Sequence, residues 1–241
     1  MVTLIMKKII LGASGSIGSS LAKKLVDAGD EIHLVGRDES SISSLAGDLG
    51  ASFTVSDVLE ENFSEKILSD IGEEPINGLA YCIGSIDLKP LKLTKKSDFL
   101  KAFNLNLVSA AEVIKTFGDN LKQNKGSVVL FSTVAVKQGF PNHAIVSSAK
   151  GAIEGLTIAL AAEFAPNIRV NCIAPSLTNS KMSSNLLKNE KIAEGIAKMH
   201  PLKRLGEGAD SSSLARFLLS NESSWITGQV FGVDGGRSSV A

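Results

Sequence analysis

Seven apolar runs of strand length, separated by longer stretches of helical period, most constrain how this chain can fold. They lie at Lys8 to Leu11, Glu31 to Val35, Ser52 to Val55, Gly78 to Ile83, Ser127 to Ser132, Ile168 to Ala174 and Val230 to Val233. Val128-Val129-Leu130-Phe131 is apolar without alternation. Such a run belongs to a strand buried on both faces, and hence to a parallel sheet with helices on both sides. Ser19 to Ala28, Phe99 to Leu121 and Ala149 to Phe164 repeat apolar residues three and four apart and can supply those helices. Right-handed crossovers then predict a doubly wound α/β fold, a parallel sheet of about seven strands in a three-layer α/β/α sandwich. The 241 residues suit one such domain over residues 1 to 241, with no internal repeat or linker. The stretch 178–200 is polar, weakly patterned and leaves the carboxyl end of a strand, the place for a lid over a bound ligand.

Charge and composition narrow the partners. The 25 basic residues balance 25 acidic ones, which argues against a nucleic-acid surface, and 44% hydrophobic residues argue against disorder. No window approaches 18 unbroken apolar residues and no secretory pattern opens the chain, so no membrane association and a cytoplasmic location are expected. Met6 would itself make a plausible start, which leaves residues 1 to 5 as a dispensable extension. Cys82 and Cys172 lie in apolar runs and are expected as buried free thiols. No His, Cys or Asp cluster has metal spacing, so no metal is expected. Small molecules and copies of the same chain remain as partners.

The first strand runs into Gly12-Ala13-Ser14-Gly15-Ser16-Ile17-Gly18 and then a helix. This is the setting a dinucleotide turn requires: glycines let backbone approach a pyrophosphate, and the helix start offers it free N–H groups. Gly12, Ser14, Gly15, Ser16, Ile17 and Gly18 are therefore candidate cofactor contacts. The second strand closes on Gly36-Arg37-Asp38. There an acidic side chain would bind a ribose 2′-hydroxyl and an arginine would accept a 2′-phosphate. Arg37 favours NADP over NAD, and Asp38 is expected to cap the next helix.

At this point the residues resemble the short-chain dehydrogenase/reductase superfamily, from Met6 to about Arg237. The glycine turn matches its first motif. Asp57-Val58 resembles the pair that contacts the adenine, and Tyr81-Cys82-Ile83-Gly84 occupies the place of the family's Asn-Asn-Ala-Gly segment. Pro175-Ser176-Leu177 resembles the Pro-Gly segment along the nicotinamide, with Ser176 for the glycine. Pro201 to Gly206, Ile226 to Val230 and Asp234-Gly235-Gly236 match the C-terminal signatures. The resemblance implies a Rossmann-type fold, a nicotinamide cofactor, oxidoreductase chemistry and a homotetramer or dimer built on the long helices and the last strand.

The departures concern chemistry. By resemblance the catalytic set is Asn106, Thr133 in place of a serine, and Lys150, but Val146 stands four residues before Lys150 where the family has its tyrosine. Valine can neither hold nor relay a proton. Lys150 is the first substitute, since a desolvated ammonium has a lowered pKa and stabilises an alkoxide by charge. Thr133 is cast as an oxyanion donor. His143, seven residues before Lys150, is the second substitute. It stands where divergent enoyl-thioester reductases of the superfamily carry their tyrosine, and is expected as a neutral hydrogen-bond donor near a helix start. Tyr81 is the sole tyrosine, expected as a wall contact to the cofactor. His33 is expected to be structural. Two functions stay open: an NADP(H)-linked oxidoreductase on a carbonyl, alcohol or enoyl substrate with a tyrosine-free site, and a non-catalytic NAD(P)-binding sensor or scaffold.

Overall fold

The computed structural model describes residues 6–240, apart from the side chain of Asn185. The question of residues 1 to 5 lies outside them. The chain begins β1 (Lys7–Leu11), α1 (Ser16–Asp27), β2 (Glu31–Gly36), α2 (Glu39–Leu49), β3 (Ser52–Val55), α3 (Phe63–Ile71) and β4 (Ile76–Tyr81). It continues through α4 (Lys96–Phe103), α5 (Ser109–Gln123), β5 (Ser127–Phe131), α6 (Ala135–Gln138), α7 (Ala144–Phe164) and β6 (Arg169–Pro175). It ends with α8 (Ser184–Leu187), α9 (Glu190–Lys198), α10 (Gly208–Leu219) and β7 (Val230–Val233).

The strands form one seven-stranded sheet, order β3-β2-β1-β4-β5-β6-β7, with every neighbouring pair parallel. Chain order reverses direction between β1 and β4, so the carboxyl ends of these strands diverge there and leave a crevice. Successive side chains of each strand feed two cores. Ile9, Leu11, Leu79, Tyr81, Val128, Leu130 and Cys172 pack with Phe117 and Ile153 on one face. Ile10, Ala80, Val129 and Ile173 pack with Leu21, Leu25 and Leu218 on the other. Each such side chain, taken from water, contributes roughly 1.5–3 kcal/mol, which is why central strands are apolar throughout.

The predicted helix over Phe99 to Leu121 is interrupted. A π-helical turn at Asn104–Val108 separates α4 from α5. Among the described residues α7 alone has the length and apolar composition to cross a membrane, yet one side of it packs in the core through Ile145, Ala149, Ile153 and Ala161.

Candidate functional site

The glycine turn joins β1 to α1 at the crevice. Gly12 has φ +74°, and a Cβ there would sit 2.9 Å from Ile83 Cγ1 and 3.0 Å from the Cys82 carbonyl oxygen. Gly18 is under the same constraint, since its Cβ would lie 2.4 Å from the Gly12 oxygen. The protein's own packing thus demands both glycines. Gly15 differs: it is exposed, and its Cβ would meet only the Gly12 oxygen, at 3.2 Å. It is also the N-cap of α1 and supplies no side-chain cap, with no acidic residue in the first turn. The result is an open cradle of helix N–H groups and positive dipole end that fits the pyrophosphate of a dinucleotide.

At the adenosine end, Asp38 accepts a hydrogen bond from Ser41 N at 2.8 Å and caps α2, as its position implied. Arg37 is 79% exposed and lies 3.8 Å from Asp57, too loose a pair to occupy the guanidinium. Asp57 also accepts from Leu59 N, while the Val58 side chain is buried and its carbonyl oxygen accepts from Ser109.

The polar set lies beyond β4. Lys150 Nζ donates to the Ile83 carbonyl oxygen at 3.2 Å. A Cβ built on Gly84 would lie 2.9 Å from Lys150 Nζ and 3.2 Å from Asn106 Oδ1, so the two groups from α7 and the π turn converge on one point above Gly84. Asn106 Nδ2 donates to Ala102 O, whereas its buried Oδ1 has no donor in the protein. A buried acceptor without a protein donor, beside a lysine, is a position suited to a water or ligand hydrogen bond. Lys150 is 7% exposed, and burial lowers its pKa to about 8 against the opposing influence of Cys172 and Cys82. Both thiols are free, as expected, and burial pushes each up to about 12.

Thr133 follows β5. Its Oγ1 accepts from Ala135 N at 3.3 Å, which leaves the hydroxyl proton free to donate. Its neighbour Ser132 donates to Glu154 at 2.6 Å and to the Lys150 carbonyl oxygen at 3.3 Å, bracing α7 against β5. Sequence reading passed over Glu154, although it lies one helical turn beyond Lys150 and the spacing could have found it. Val146 is buried.

Two expectations are corrected. The Tyr81 ring is no wall of the cofactor site: β4 alternation sends it with Leu79 and Leu11 into the core, 1% exposed. Its hydroxyl donates to the Leu105 carbonyl oxygen at 2.7 Å, and burial raises its pKa, so it supplies no proton. The second concerns His143, the N-cap of α7. Its Nδ1 lies 2.8 Å from the Pro141 carbonyl oxygen, a pure acceptor, so Nδ1 carries the proton. The neutral ring is then an acceptor at Nε2, and only the imidazolium could donate there. His143 lines a cavity of about 370 Å³ with Lys89, Leu91, Val136, Phe140 and Ser147, which neither Thr133 nor Lys150 reaches.

Beyond β6 the segment 178–206 is closed at its base by a parallel bridge between Thr178 and Gly206. Pro175 O accepts from Val134 N, and Leu177 O from Gly206 N. Ser176 Oγ meets His200 Nε2 at 2.8 Å, and His200 Nδ1 lies 2.9 Å from the Ile196 oxygen. This pair, with His200 buried and Ser176 half-buried, ties the end of α9 to the end of β6. With partners 24 residues apart, no sequence pattern announces it.

The sequence profile of the Enoyl-(Acyl carrier protein) reductase family matches residues 12–238. A chloroplastic tropinone reductase homolog of Arabidopsis thaliana is 31% identical, over 97% of this chain and 76% of that relative. The 3-oxoacyl-[acyl-carrier-protein] reductase FabG of Rickettsia felis is 30% identical over 96% of both chains. Among solved structures, a short-chain dehydrogenase/reductase of the glucose/ribitol dehydrogenase type from Brucella melitensis superimposes with TM-score 0.91 at 28% identity, covering 96% of each chain. A tyrosine-to-phenylalanine variant of ElxO with NADPH bound superimposes with TM-score 0.86 at 25% identity, over 96% of this chain and 98% of that one. With its parallel sheet, glycine turn and lysine-bearing helix, the chain belongs to the short-chain dehydrogenase/reductase family of oxidoreductases.

Proposed function

We propose that the chain is an NADP(H)-dependent oxidoreductase that interconverts a carbonyl and an alcohol, or reduces an enoyl thioester, through a tyrosine-free site. The observation that carries this reading is the convergence of buried Lys150 Nζ and the orphaned Asn106 Oδ1 above Gly84. A site released from catalysis need not retain both groups, which favours this reading over a cofactor-binding protein without turnover. When bound, the nicotinamide cofactor supplies or accepts the hydride.

The chain's own residues then handle the proton and the charge. Lys150, with its pKa lowered to about 8, carries at Nζ a proton it can deliver to a carbonyl oxygen at neutral pH. Thr133 donates its free hydroxyl proton to the same oxygen as charge develops. Asn106 Oδ1 accepts from the donor that reloads Nζ. His143 acts at the rim as an acceptor for a substrate hydroxyl, the role its tautomer allows. The segment 178–200 covers the cofactor and substrate as a lid. Arg37, exposed and loosely held, favours NADP, and Asp38 is committed to its cap. The ElxO variant, solved with NADPH in place, supports NADP in a relative with a tyrosine removed.

We further propose a single cytoplasmic domain that works as a dimer or tetramer. Gly155, Ile158, Ala159 and Ala162 leave the outer face of α7 exposed and suited to close packing against a second copy.

Nicotinamide absorbance, followed with ketones, aldehydes and enoyl thioesters, tests the reading for wild type, Lys150→Ala and His143→Phe. Turnover in wild type and a loss of 10²-fold or more in Lys150→Ala are expected, at the scale of about 10²–10⁴ for a proton-transfer group. Unchanged turnover in Lys150→Ala would remove that residue from the mechanism. Val146 favours one other reading, a non-catalytic sensor or scaffold, whose signature is tight NADPH binding without turnover.

A further inference from the structure

Ser176 leaves the sheet next to Thr133. Phe131 of β5 pairs with Ile173 of β6, and beyond that pair Ser132 N donates to Ile173 O at 2.7 Å and Val134 N to Pro175 O at 3.1 Å. Thr133 therefore runs alongside Pro175 at the carboxyl edge. Three residues after Ser176, the Asn179 carbonyl oxygen accepts from Ser16 Oγ at 3.0 Å, which seats the same segment on the glycine turn. Ser176 N donates to Val233 O at 3.3 Å, and Ser176 O accepts from Thr178 Oγ1 at 3.0 Å, so the backbone that carries the hydroxyl is held on both sides. A half-buried hydroxyl is thereby fixed on the stretch that leads from Thr133 to the cofactor cradle.

That hydroxyl has a partner able to take its proton. Ser176 Oγ lies 2.8 Å from His200 Nε2, and His200 Nδ1 lies 2.9 Å from Ile196 O. A carbonyl oxygen only accepts, so Nδ1 carries a proton, and the neutral ring accepts from the Ser176 hydroxyl at Nε2. The ring is 2% exposed and packed under the turn after β7, where a Cβ on Gly235 would lie 3.7 Å from His200 Cβ and 3.8 Å from its Cδ2. A hydroxyl bonded to an imidazole whose other nitrogen is held by a third group is an arrangement that draws a proton through the hydroxyl. With its own proton directed at Nε2, Ser176 Oγ presents lone pairs to a substrate hydroxyl. Val146 offers none, and the Lys150 ammonium, with a pKa near 8, holds its proton at neutral pH and cannot take another.

We infer that Ser176 is a catalytic residue and that Ser176 and His200 form a proton relay that serves as the base for alcohol oxidation. This rests on the oxidoreductase reading above and sets a base beside the Lys150 acid. The substrate O–H bond breaks and its proton joins Ser176 Oγ, while the Ser176 proton passes to His200 Nε2. The carbinol hydrogen leaves with its electron pair to the oxidised nicotinamide. The alcohol is thus oxidised to a carbonyl, the cofactor is reduced, and the imidazolium holds the proton. Ketone reduction by this path runs the same steps backwards from the imidazolium. His200 touches no substrate and acts only through Ser176.

Nicotinamide absorbance at neutral pH, with NADP and a panel of secondary alcohols that includes cyclohexanol, tests the relay beside two readouts that need no turnover. Ser176→Ala should lower kcat for oxidation at least tenfold and leave KM for NADP within about twofold. His200→Gln keeps an acceptor for the Ser176 hydroxyl but no atom that can hold the proton. It should lose kcat by a similar factor while limited proteolysis of the lid keeps its wild-type rate. Nitrogen-15 NMR of the free chain should show His200 protonated at Nδ1 and bare at Nε2, with the Nε2 resonance moved in Ser176→Ala. Unchanged kcat in Ser176→Ala, or a proton on Nε2 in the free chain at neutral pH, would overturn the relay. A loss in His200→Gln that comes only with faster proteolysis would assign the pair to the lid tie alone and overturn it as well. Wild type that reduces an enoyl thioester but neither oxidises an alcohol nor reduces a ketone would overturn the relay and leave the oxidoreductase reading in place. Absence of any nicotinamide-linked turnover would sink both.

Discussion

Tyr81 takes a structural place in the core, and Lys150 is the group proposed to carry the proton. The tyrosine of this chain donates its hydroxyl to Leu105 O, inside the π turn that carries Asn106. The π turn shifts the helical donors by one residue, Ser109 N reaching Asn104 O, and the Tyr81 hydroxyl supplies a donor to Leu105 O in place of the displaced one. Tyr81 is thus a positioning residue for Asn106. Tyr81→Phe should cost about 1–3 kcal/mol, as a buried carbonyl is left unpaired, and a lowered urea midpoint measures it. Lys150 gives a pH prediction. Its folded pKa lies near 8, so the ammonium is present below that value and lost as pH rises through it. Carbonyl reduction at saturating NADPH should fall above pH of about 8, and this limb should vanish in Lys150→Ala. A limb that persists in the variant would assign the proton elsewhere.

At the scale of elements, the edge strand β3 depends on one buried histidine. Only Thr54 of its four residues is buried, yet His33 of β2 binds Ser52 Oγ and Thr54 Oγ1 through its two ring nitrogens, each at 2.9 Å. Thr54 in turn donates to Asp70 of α3. Burial, then the charge of Lys7, lowers the His33 pKa from 6.5 to about 4. The unfolded chain therefore binds a proton below pH 6.5 that the folded chain refuses until pH 4. Stability is full above 6.5 and falls as pH drops toward 4, by an amount on the order of 3 kcal/mol. Urea unfolding at pH 7.5 and pH 4.5 should show the loss, and His33→Gln should flatten it. The lid makes a second prediction at this scale. His200→Ala removes the tie from α9 to β6, so proteolytic cleavage within 179–206 should accelerate several-fold while the melting temperature of the sheet stays nearly constant.

Over the whole molecule, the sheet brings groups that are distant along the chain to one edge: the glycine turn after β1, Gly84 after β4, Thr133 after β5 and the lid after β6. The outer face of α7, proposed above as the contact with a second copy, leaves Ile158 58% exposed. Ile158→Asp should shift the mass measured by light scattering toward the monomer, and an unchanged mass would move the interface elsewhere.

The strand runs, the glycine turn, the Asp38 cap and the structural role of His33 were legible in the sequence. Each is written in local pattern: apolar runs of strand length, small residues where backbones touch, an acid before a helix. The motifs also put forward Asn106, Thr133 and Lys150 as candidates, of which the structure brings Asn106 and Lys150 together above Gly84, and Val146 four residues before Lys150 is read directly from the sequence. Local pattern could not say which core Tyr81 enters, because that depends on the parity of β4 and on the π turn packed above it. Nor could it fix the tautomer of His143, the Ser176–His200 tie or the seating of Asn179 on Ser16. Those contacts join residues by their positions at one sheet edge, and only closure of the sheet brings them within hydrogen-bond reach.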